Sequence, residues 1–173
     1  MESIKEKKHM KKIWKILSIV LILIWMGFIY FLSDMPAQES NNKSKAMIQK
    51  VVEKEVEAQK KENTEEENKK QIQRVVNKLN APLRKVVHAV VYIVLALLIG
   101  VACKIYNSKK WMYISFPIVI SFLYACTDEL HQRFVSERSG KVSDILIDTC
   151  GAVIGMLILQ VVIVIKNKIK KDK

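Results

Sequence analysis

Four long apolar runs limit what this chain can fold into more than any other feature of its sequence. They extend over Ile13–Leu32, Val86–Cys103, Trp111–Cys126 and Ile145–Ile165. A bilayer core of about 30 Å is crossed by roughly 20 helical residues, within a usual range of about 17 to 25. The first and last runs reach that length, and neighbours in the headgroup layer can extend the shorter middle runs. The sequence therefore predicts an integral membrane protein.

The sequence favours helices throughout, because it contains no alternation of apolar and polar residues at the strand period. The predicted fold class is all-α, an integral membrane four-helix bundle with a long extracytoplasmic helical loop between the first and second spans. The first run is longer than the apolar region of a cleaved signal peptide, so we expect it to be retained as a helix.

The net charge of +12 is concentrated beside the apolar runs. Lysines cluster before the first run, between the second and third, and after the last, and these segments share one side of a chain that crosses the membrane four times. The positive-inside rule assigns that side to the cytoplasm. We therefore predict a multi-pass protein with cytoplasmic N- and C-termini. Charge placed in this way indicates a membrane rather than a nucleic-acid partner.

These rules divide the chain into alternating segments. Cytoplasmic segments are predicted at residues 1–12, 104–110 and 166–173, membrane helices at residues 13–32, 84–103, 111–127 and 145–165, and extracytoplasmic segments at residues 33–83 and 128–144.

The longer outer segment has an amphipathic pattern. Apolar residues recur at i, i+3, i+4 and i+7 from Ile48 to Val56 and again from Ile72 to Leu79. The pattern fits two helices joined near Asn63–Thr64 or one long helix frayed in the middle. Either could lie against the membrane or against the outer ends of the bundle, and a charged interaction arm is the alternative. Pro82 suits the first turn of the second membrane helix.

Polar side chains accompany the outer end of every predicted membrane helix. Lys85, His88 and Tyr92 share one face because their spacing is i, i+3 and i+7. The i, i+4 spacing of Asp144 and Asp148 also places both on one face. Because the outer helix ends lie at one depth, we expect the polar groups to meet there. The complete set is Ser33, Lys85, His88, Tyr92, Asp128, Glu129, Gln132, Arg138, Asp144 and Asp148.

Asp148 is expected to lie below the water surface. A buried carboxylate without a partner costs several kcal/mol or takes up a proton, so it needs a cation or a hydrogen-bond donor nearby. Arg138, Lys85 and His88 are the available candidates. On the same helix, the G-x-x-x-G motif at residues 151–155 would let another helix approach closely.

The variety of these groups favours a chemical site, because a His, carboxylates, a Lys and an Arg together offer proton transfer and anion binding. The candidate catalytic residues are His88, Glu129, Asp128 and Asp144. The candidate binding residues are Lys85, Arg138, Gln132, Ser33, Tyr92 and Asp148. Neither H-E-x-x-H nor paired Cys/His spacing occurs, so we predict no metal or other cofactor, although the His and the carboxylates could serve as ligands. The alternative is a polar network that holds the helices together.

The polar segments resemble the VanZ-like family of small bacterial membrane proteins. The resemblance covers residues 13–165 and rests on FLSDMPAQES, RKVVHAVVY and DELHQRFVSERSGKVSDILIDTCGAVIG. It implies a location in the bacterial plasma membrane, assigns the family's polar set to the candidate residues above, and links the chain to teicoplanin resistance, with which the founding member is associated. The chain departs from the pattern in two places. Val91 stands where the family often has Glu, and Ser136 and Glu137 replace a common Pro-Gly turn.

Two functional hypotheses follow. In the first, the outer polar cluster is a site for an amphiphilic cell-envelope molecule, such as a membrane lipid or a lipid-linked cell-wall precursor, since a site at headgroup depth meets both tails and polar groups. In the second, the protein is a non-enzymatic scaffold whose polar cluster is structural and whose outer loop recruits partners. The sequence leaves open whether the protein is an enzyme, and it allows a homo-oligomer.

Overall fold

The computed structural model describes residues 2–58, 65–138 and 140–171. Within these residues every regular element is an α-helix. The helices are α1 (Glu2–Asp34), α2 (Ala37–Ala58), α3 (Glu65–Ile105), α4 (Lys110–Gln132) and α5 (Val142–Lys171). Helices α1, α3, α4 and α5 are long and apolar enough to cross a membrane. The prediction of an all-α membrane bundle is confirmed. The joint predicted near Asn63–Thr64 lies outside the described residues.

Helix α3 is the central element, because it contacts each of the other helices in the described part of the chain. Its 41 residues extend about 60 Å at 1.5 Å per residue, about twice the thickness of a bilayer core. One half can therefore cross the membrane while the other half projects beyond it.

The prediction that Pro82 begins a helix is wrong, because Pro82 lies in the interior of α3. A proline inside a helix removes one backbone hydrogen bond and costs about 3 kcal/mol or more. Packing on both sides of Pro82 offsets that cost. Val76 and Asn80 are buried on one side of it and Tyr92 is buried on the other, so tertiary contacts keep the helix continuous.

Helix α2 packs against the first half of α3, and the two amphipathic stripes meet there. Ile48 and Val76 are both buried, and the Ser44 hydroxyl donates a hydrogen bond of 2.7 Å to the side-chain oxygen of Asn80. Helix α2 therefore packs on the part of α3 that extends beyond the apolar run. This partner was not among the placements considered from sequence, which were the membrane and the outer ends of the bundle.

Helices α3 and α5 are in backbone contact at the predicted G-x-x-x-G motif. A Cβ atom on Gly151 would overlap the carbonyl oxygen of Ala89, and one on Gly155 would overlap that of Ile93. The predicted close approach is confirmed. Because Ala89 follows His88 directly and Gly151 lies three positions after Asp148, this contact also brings those two polar side chains together.

Large apolar side chains cover the outer surface of the membrane helices. Leu23 on α1, Val90 on α3, Phe122 on α4 and Leu157 on α5 are all exposed. Soluble monomers rarely expose apolar surface on this scale, whereas a lipid-facing surface consists of such residues. The chain is therefore a membrane protein.

The bundle has two chemically different ends. At the lysine-rich end, the start of α1 and the end of α3 form a cleft lined by lysines, which are Lys8, Lys11, Lys12, Lys15 and Lys104. At the opposite end, which we call the polar end, α1 and α4 terminate, α5 begins, and α3 passes through. The buried polar side chains of the membrane helices are concentrated at the polar end.

Candidate functional site

Three side chains from three helices form the centre of the polar end. His88 lies on α3, Asp128 on α4 and Asp148 on α5, and we call them the His–Asp cluster. Asp148 has no exposed surface and Asp128 is 4% exposed. One potential ligand atom from each residue lies within 4.8 Å of the others. The helix–helix contact at Gly151 accounts for this convergence, because it holds α5 against α3 at the required depth.

The His–Asp cluster contains polar atoms without partners. His88 Nδ1 lies 3.9 Å from Asp148 Oδ1, which is too long for a hydrogen bond. Among the described residues, neither oxygen of Asp148 nor His88 Nδ1 has a hydrogen-bond partner. Since buried polar groups in folded proteins are nearly always paired, these atoms are arranged to contact something other than one another.

Further polar groups surround the cluster. The Gln132 amide donates a hydrogen bond of 3.2 Å to Asp128 Oδ2, which orients that carboxylate. Ser33, from α1, adjoins Asp128 and is 2% exposed. The hydroxyl groups of Ser33 and of the fully buried Tyr92 also lack hydrogen-bond partners within the described residues. Four helices thus contribute polar atoms to this small volume.

A cavity of about 250 Å³ adjoins the His–Asp cluster. His88 and Asp148 form part of its wall, and Gln132 and Ile147 also line it. Its charged lining consists of Arg84, Lys85, Arg138, Lys141, Glu137, Asp144 and Asp148. Several lining side chains, including Lys85 and Lys141, are exposed, so the cavity reaches the protein surface.

Arg138 is a half-buried cation of the cavity wall. One guanidinium nitrogen, Nη2, donates a hydrogen bond of 3.2 Å to the carbonyl oxygen of Leu32, whereas Nε has no partner within the described residues. Burial and the nearby charge of Arg84 lower the pKa of Arg138, while Asp128 and Glu129 act in the opposite direction. A guanidinium stays protonated at neutral pH, so Arg138 presents a positive charge with unused hydrogen-bonding capacity.

Glu129 occupies a different position from its neighbour Asp128. It does not line the cavity. Its Oε2 atom accepts a 2.7 Å hydrogen bond from the backbone N–H of Lys141, and a Cβ on Gly140 would overlap its carbonyl oxygen. Glu129 therefore fixes the loop that leads into α5.

Most of the residues predicted from sequence lie at this end of the bundle. Lys85, His88, Gln132, Arg138, Asp144 and Asp148 line the cavity. Asp128, Ser33 and Tyr92 are buried and do not line the cavity, but Asp128 lies beside His88 and Asp148, which do. Glu129 contacts the loop instead. At position 91, where the resemblance leads one to expect Glu, the Val91 side chain is part of an apolar cluster with Leu95. Position 91 thus supplies no carboxylate.

Sequence reasoning did not select three charged residues that line the cavity, Arg84, Glu137 and Lys141. Arg84 could have been found, because it lies four positions before His88 and therefore on the same helix face. The other two belong to the 133–141 loop, whose path follows no periodic pattern.

Another His–Asp pair lies near the cluster but outside it. His131 Nε2 is 3.1 Å from Asp34 Oδ1, and the His131 ring lies 4.7 Å from the ring of Tyr30. The Asp34 side chain is 58% exposed, so this pair is solvated, in contrast to the buried His–Asp cluster.

The comparisons with known proteins give one match. A family model described as VanZ/LLP1 matches residues 18–164. A search of curated proteins and a search of solved structures each found no match. The matched range includes the end of α1, all of α4 and every residue of the cavity and the His–Asp cluster.

Proposed function

The chain belongs to the VanZ/LLP1 family, and from that premise we propose that it is a bacterial plasma-membrane protein whose cavity binds an anionic headgroup. The ligand is an amphiphilic cell-envelope molecule, such as a phospholipid or a lipid-linked cell-wall precursor. The main support is the cavity itself, in which Arg84, Lys85, Arg138 and Lys141 surround a space next to lipid-facing helices.

The size of the cavity supports a headgroup rather than a whole lipid. At about 250 Å³ it is smaller than the pockets of roughly 300 to 1,000 Å³ that enclose drug-sized ligands. Beside it, Val86 and Val87 on α3 and Leu146 on α5 expose apolar surface. A headgroup would enter the cavity while its acyl or prenyl chains remain on this surface.

The lining contains four cations and three carboxylates, and its cations support an anionic group. Arg138 has a guanidinium Nε without a partner in the described residues, and guanidinium groups bind phosphate and carboxylate through two parallel hydrogen bonds. Lys85 and Lys141 are exposed at the mouth of the cavity, where they would attract an anion.

The lysine-rich end supports the orientation. The cleft formed by α1 and the end of α3 is lined by lysines, and positive charge marks the cytoplasmic side of membrane proteins. With that end in the cytoplasm, both termini are cytoplasmic and the cavity opens at the outer leaflet. Binding there would change how wall precursors or lipids are presented, which is a route to the glycopeptide tolerance suggested by the family resemblance.

Headgroup binding can be measured with the full-length protein in detergent. Short-chain phosphatidylglycerol is titrated, with short-chain phosphatidylcholine as the lipid without net charge. Arg138→Gln and Arg84→Gln should each weaken phosphatidylglycerol binding about tenfold or more, since a hydrogen bond to a charged group contributes about 1.5–3 kcal/mol. Arg74→Gln is the matched control, because Arg74 is an exposed residue of α3, the helix that contains Arg84.

Equal binding of both lipids, together with unchanged affinity in both cavity variants, would reject the proposal. Monodisperse elution of each variant in gel filtration establishes that the protein is folded. The soluble headgroup glycerol phosphate, added as a competitor, distinguishes recognition of the phosphate from recognition of the chains.

A scaffold function is the second candidate, and an apolar groove on α2 and α3 favours it. Met47 and Val51 on α2 are exposed beside Leu79 and Val86 on α3, which is a surface suited to an apolar helix of a partner protein. This function requires no occupant in the cavity. It predicts that the Arg138 and Arg84 variants retain full function in the cell.

A further inference from the structure

We propose that the His–Asp cluster binds one divalent transition-metal ion, with His88, Asp128 and Asp148 as its protein ligands. The ligand atoms are His88 Nδ1 and one carboxylate oxygen from each Asp. They come from three different helices and already lie within 4.8 Å of one another. Metal bonds of about 2.1 Å in tetrahedral geometry place ligand atoms about 3.4 Å apart, so small rotations of the side chains complete the site.

The partnerless atoms of the cluster support this site independently of the spacing. Asp148 is fully buried, and neither of its oxygens has a hydrogen-bond partner among the described residues. An ionised carboxylate in that position requires a cation. A proton would also remove the charge, and a small rotation would let the resulting O–H group donate to His88 Nδ1, which is 3.9 Å away. That pairing would still leave the second oxygen of Asp148 without a partner among the described residues. A metal ion satisfies all three residues together.

The charges balance when the metal is bound. Two ionised aspartates carry two negative charges, which one divalent cation neutralises, and neutral His88 adds a nitrogen ligand. This leaves the His–Asp cluster without net charge, which matters in the interior of the bundle, where an unpaired charge is costly.

The ligand set indicates which metals fit. One imidazole nitrogen with two carboxylate oxygens suits Zn²⁺ or Mn²⁺. Mg²⁺ prefers octahedral coordination by oxygen and retains several waters, so it should bind weakly. The Gln132 amide orients Asp128, as a residue that supports a metal ligand does.

The site would also have an open coordination position. His88 and Asp148 form part of the cavity wall, so a metal held between them faces the cavity. An oxygen of a bound phosphate or carboxylate could occupy that position, with Arg138 on the other side of the anion. This last step rests on the proposed function, whereas the metal site does not.

Metal content tests the inference directly. Full-length protein purified in detergent is equilibrated with Zn²⁺, Mn²⁺ or Mg²⁺, desalted and analysed for bound metal. We expect about one Zn²⁺ or Mn²⁺ per chain and little Mg²⁺. Asp148→Asn and His88→Gln should each weaken binding at least about tenfold. His131→Gln and Asp34→Asn are matched controls in the neighbouring solvated pair and should bind like wild type.

Two results would overturn the inference. One is wild-type protein without bound Zn²⁺ or Mn²⁺ after equilibration. The other is loss of metal from the His131 and Asp34 controls together with retention by the cluster variants. Co²⁺ provides a test that does not depend on the folding of any variant. Intense visible bands, much stronger than those of aqueous Co²⁺, should appear when Co²⁺ is added to wild-type protein and disappear when Zn²⁺ displaces it. Their absence would contradict a tetrahedral site.

No lipid is present in these measurements, so their outcome is separate from that of the phosphatidylglycerol titration. Metal binding without headgroup binding would reject the proposed function and keep the site. Headgroup binding by protein that takes up no metal would reject the metal site and keep the proposed function.

Discussion

At the scale of single residues, Asp148 distinguishes this bundle from one held together by apolar packing alone. It is completely buried, with both carboxylate oxygens unpartnered in the described part of the protein. Desolvation of such a group lowers stability unless a ligand compensates for it. A structural hydrogen-bond network would instead pair its members with one another.

Asp148→Asn should therefore change stability in opposite directions with and without metal. In chelator-treated protein at neutral pH, burial of the Asp148 carboxyl costs free energy whether it stays charged or takes up a proton. The neutral amide avoids that cost, so the variant should be about 1–3 kcal/mol more stable than wild type. With Zn²⁺ bound, wild type should become the more stable protein, because ligand binding stabilises the folded state. Thermal unfolding in detergent measures both. A variant that is less stable than wild type without metal would contradict this account.

Residue roles were only partly predictable from the sequence. The convergence of polar groups at one end follows from where the apolar runs stop. His88 was one of three candidate neighbours of Asp148, and the structure places it beside that residue. Asp128 and Glu129 are adjacent in sequence and chemically alike, so pattern alone could not separate the cluster ligand from the residue that fixes the loop. The two side chains leave α4 in directions about 100° apart. Only the packed position of α5 decides which of them reaches Asp148 and which reaches the loop.

At the scale of elements, the close contact between α3 and α5 positions the site. Gly151 and Gly155 have no side chains to separate the backbones, and this places His88 beside Asp148. Helix packing in membranes depends on such small residues, because lipid provides little hydrophobic drive for helices to associate.

Gly155→Ala should disturb this contact, because its Cβ would overlap the carbonyl oxygen of Ile93. Forcing the helices apart should destabilise the protein by about 1–3 kcal/mol and weaken metal binding. Gly27→Ala is the matched control, since nothing lies within 4 Å of its Cβ position on α1. Alanine has a better helix propensity than glycine, so the Gly27→Ala variant should be as stable as wild type or more stable by up to about 1 kcal/mol. Equal thermal stability of the two variants would count against the role assigned to the contact.

The elements themselves could be predicted where hydrophobicity determines them, and less well elsewhere. The four membrane helices follow from the length of the apolar runs. The continuity of α3 through Pro82 could not be predicted, because the local rule for proline favours a helix start and the packing of α2 outweighs it. The pairing of α2 with α3 involves two weak amphipathic stripes, each of which would fit other partners equally well.

At the scale of the whole molecule, function depends on which end faces outward. The cavity lies at the polar end, and the opposite end carries the lysine-lined cleft. If the polar end faces the outer leaflet, the cavity can reach lipids and wall precursors that are exposed there. If it faces the cytoplasm, the cavity opens at the inner leaflet, away from molecules exposed outside the cell, and the lysines are on the wrong side of the membrane.

Labelling of single cysteines in intact cells tests this orientation most directly. In a variant with Cys103, Cys126 and Cys150 replaced by Ala, Ser136→Cys reports on the polar end and Lys109→Cys on the lysine-rich end, because both residues are exposed. A membrane-impermeant maleimide should label the cysteine at position 136 in intact cells and the one at position 109 only after permeabilisation. Labelling at position 109 in intact cells, with position 136 protected until permeabilisation, would contradict the predicted orientation and the proposed access from the outer leaflet.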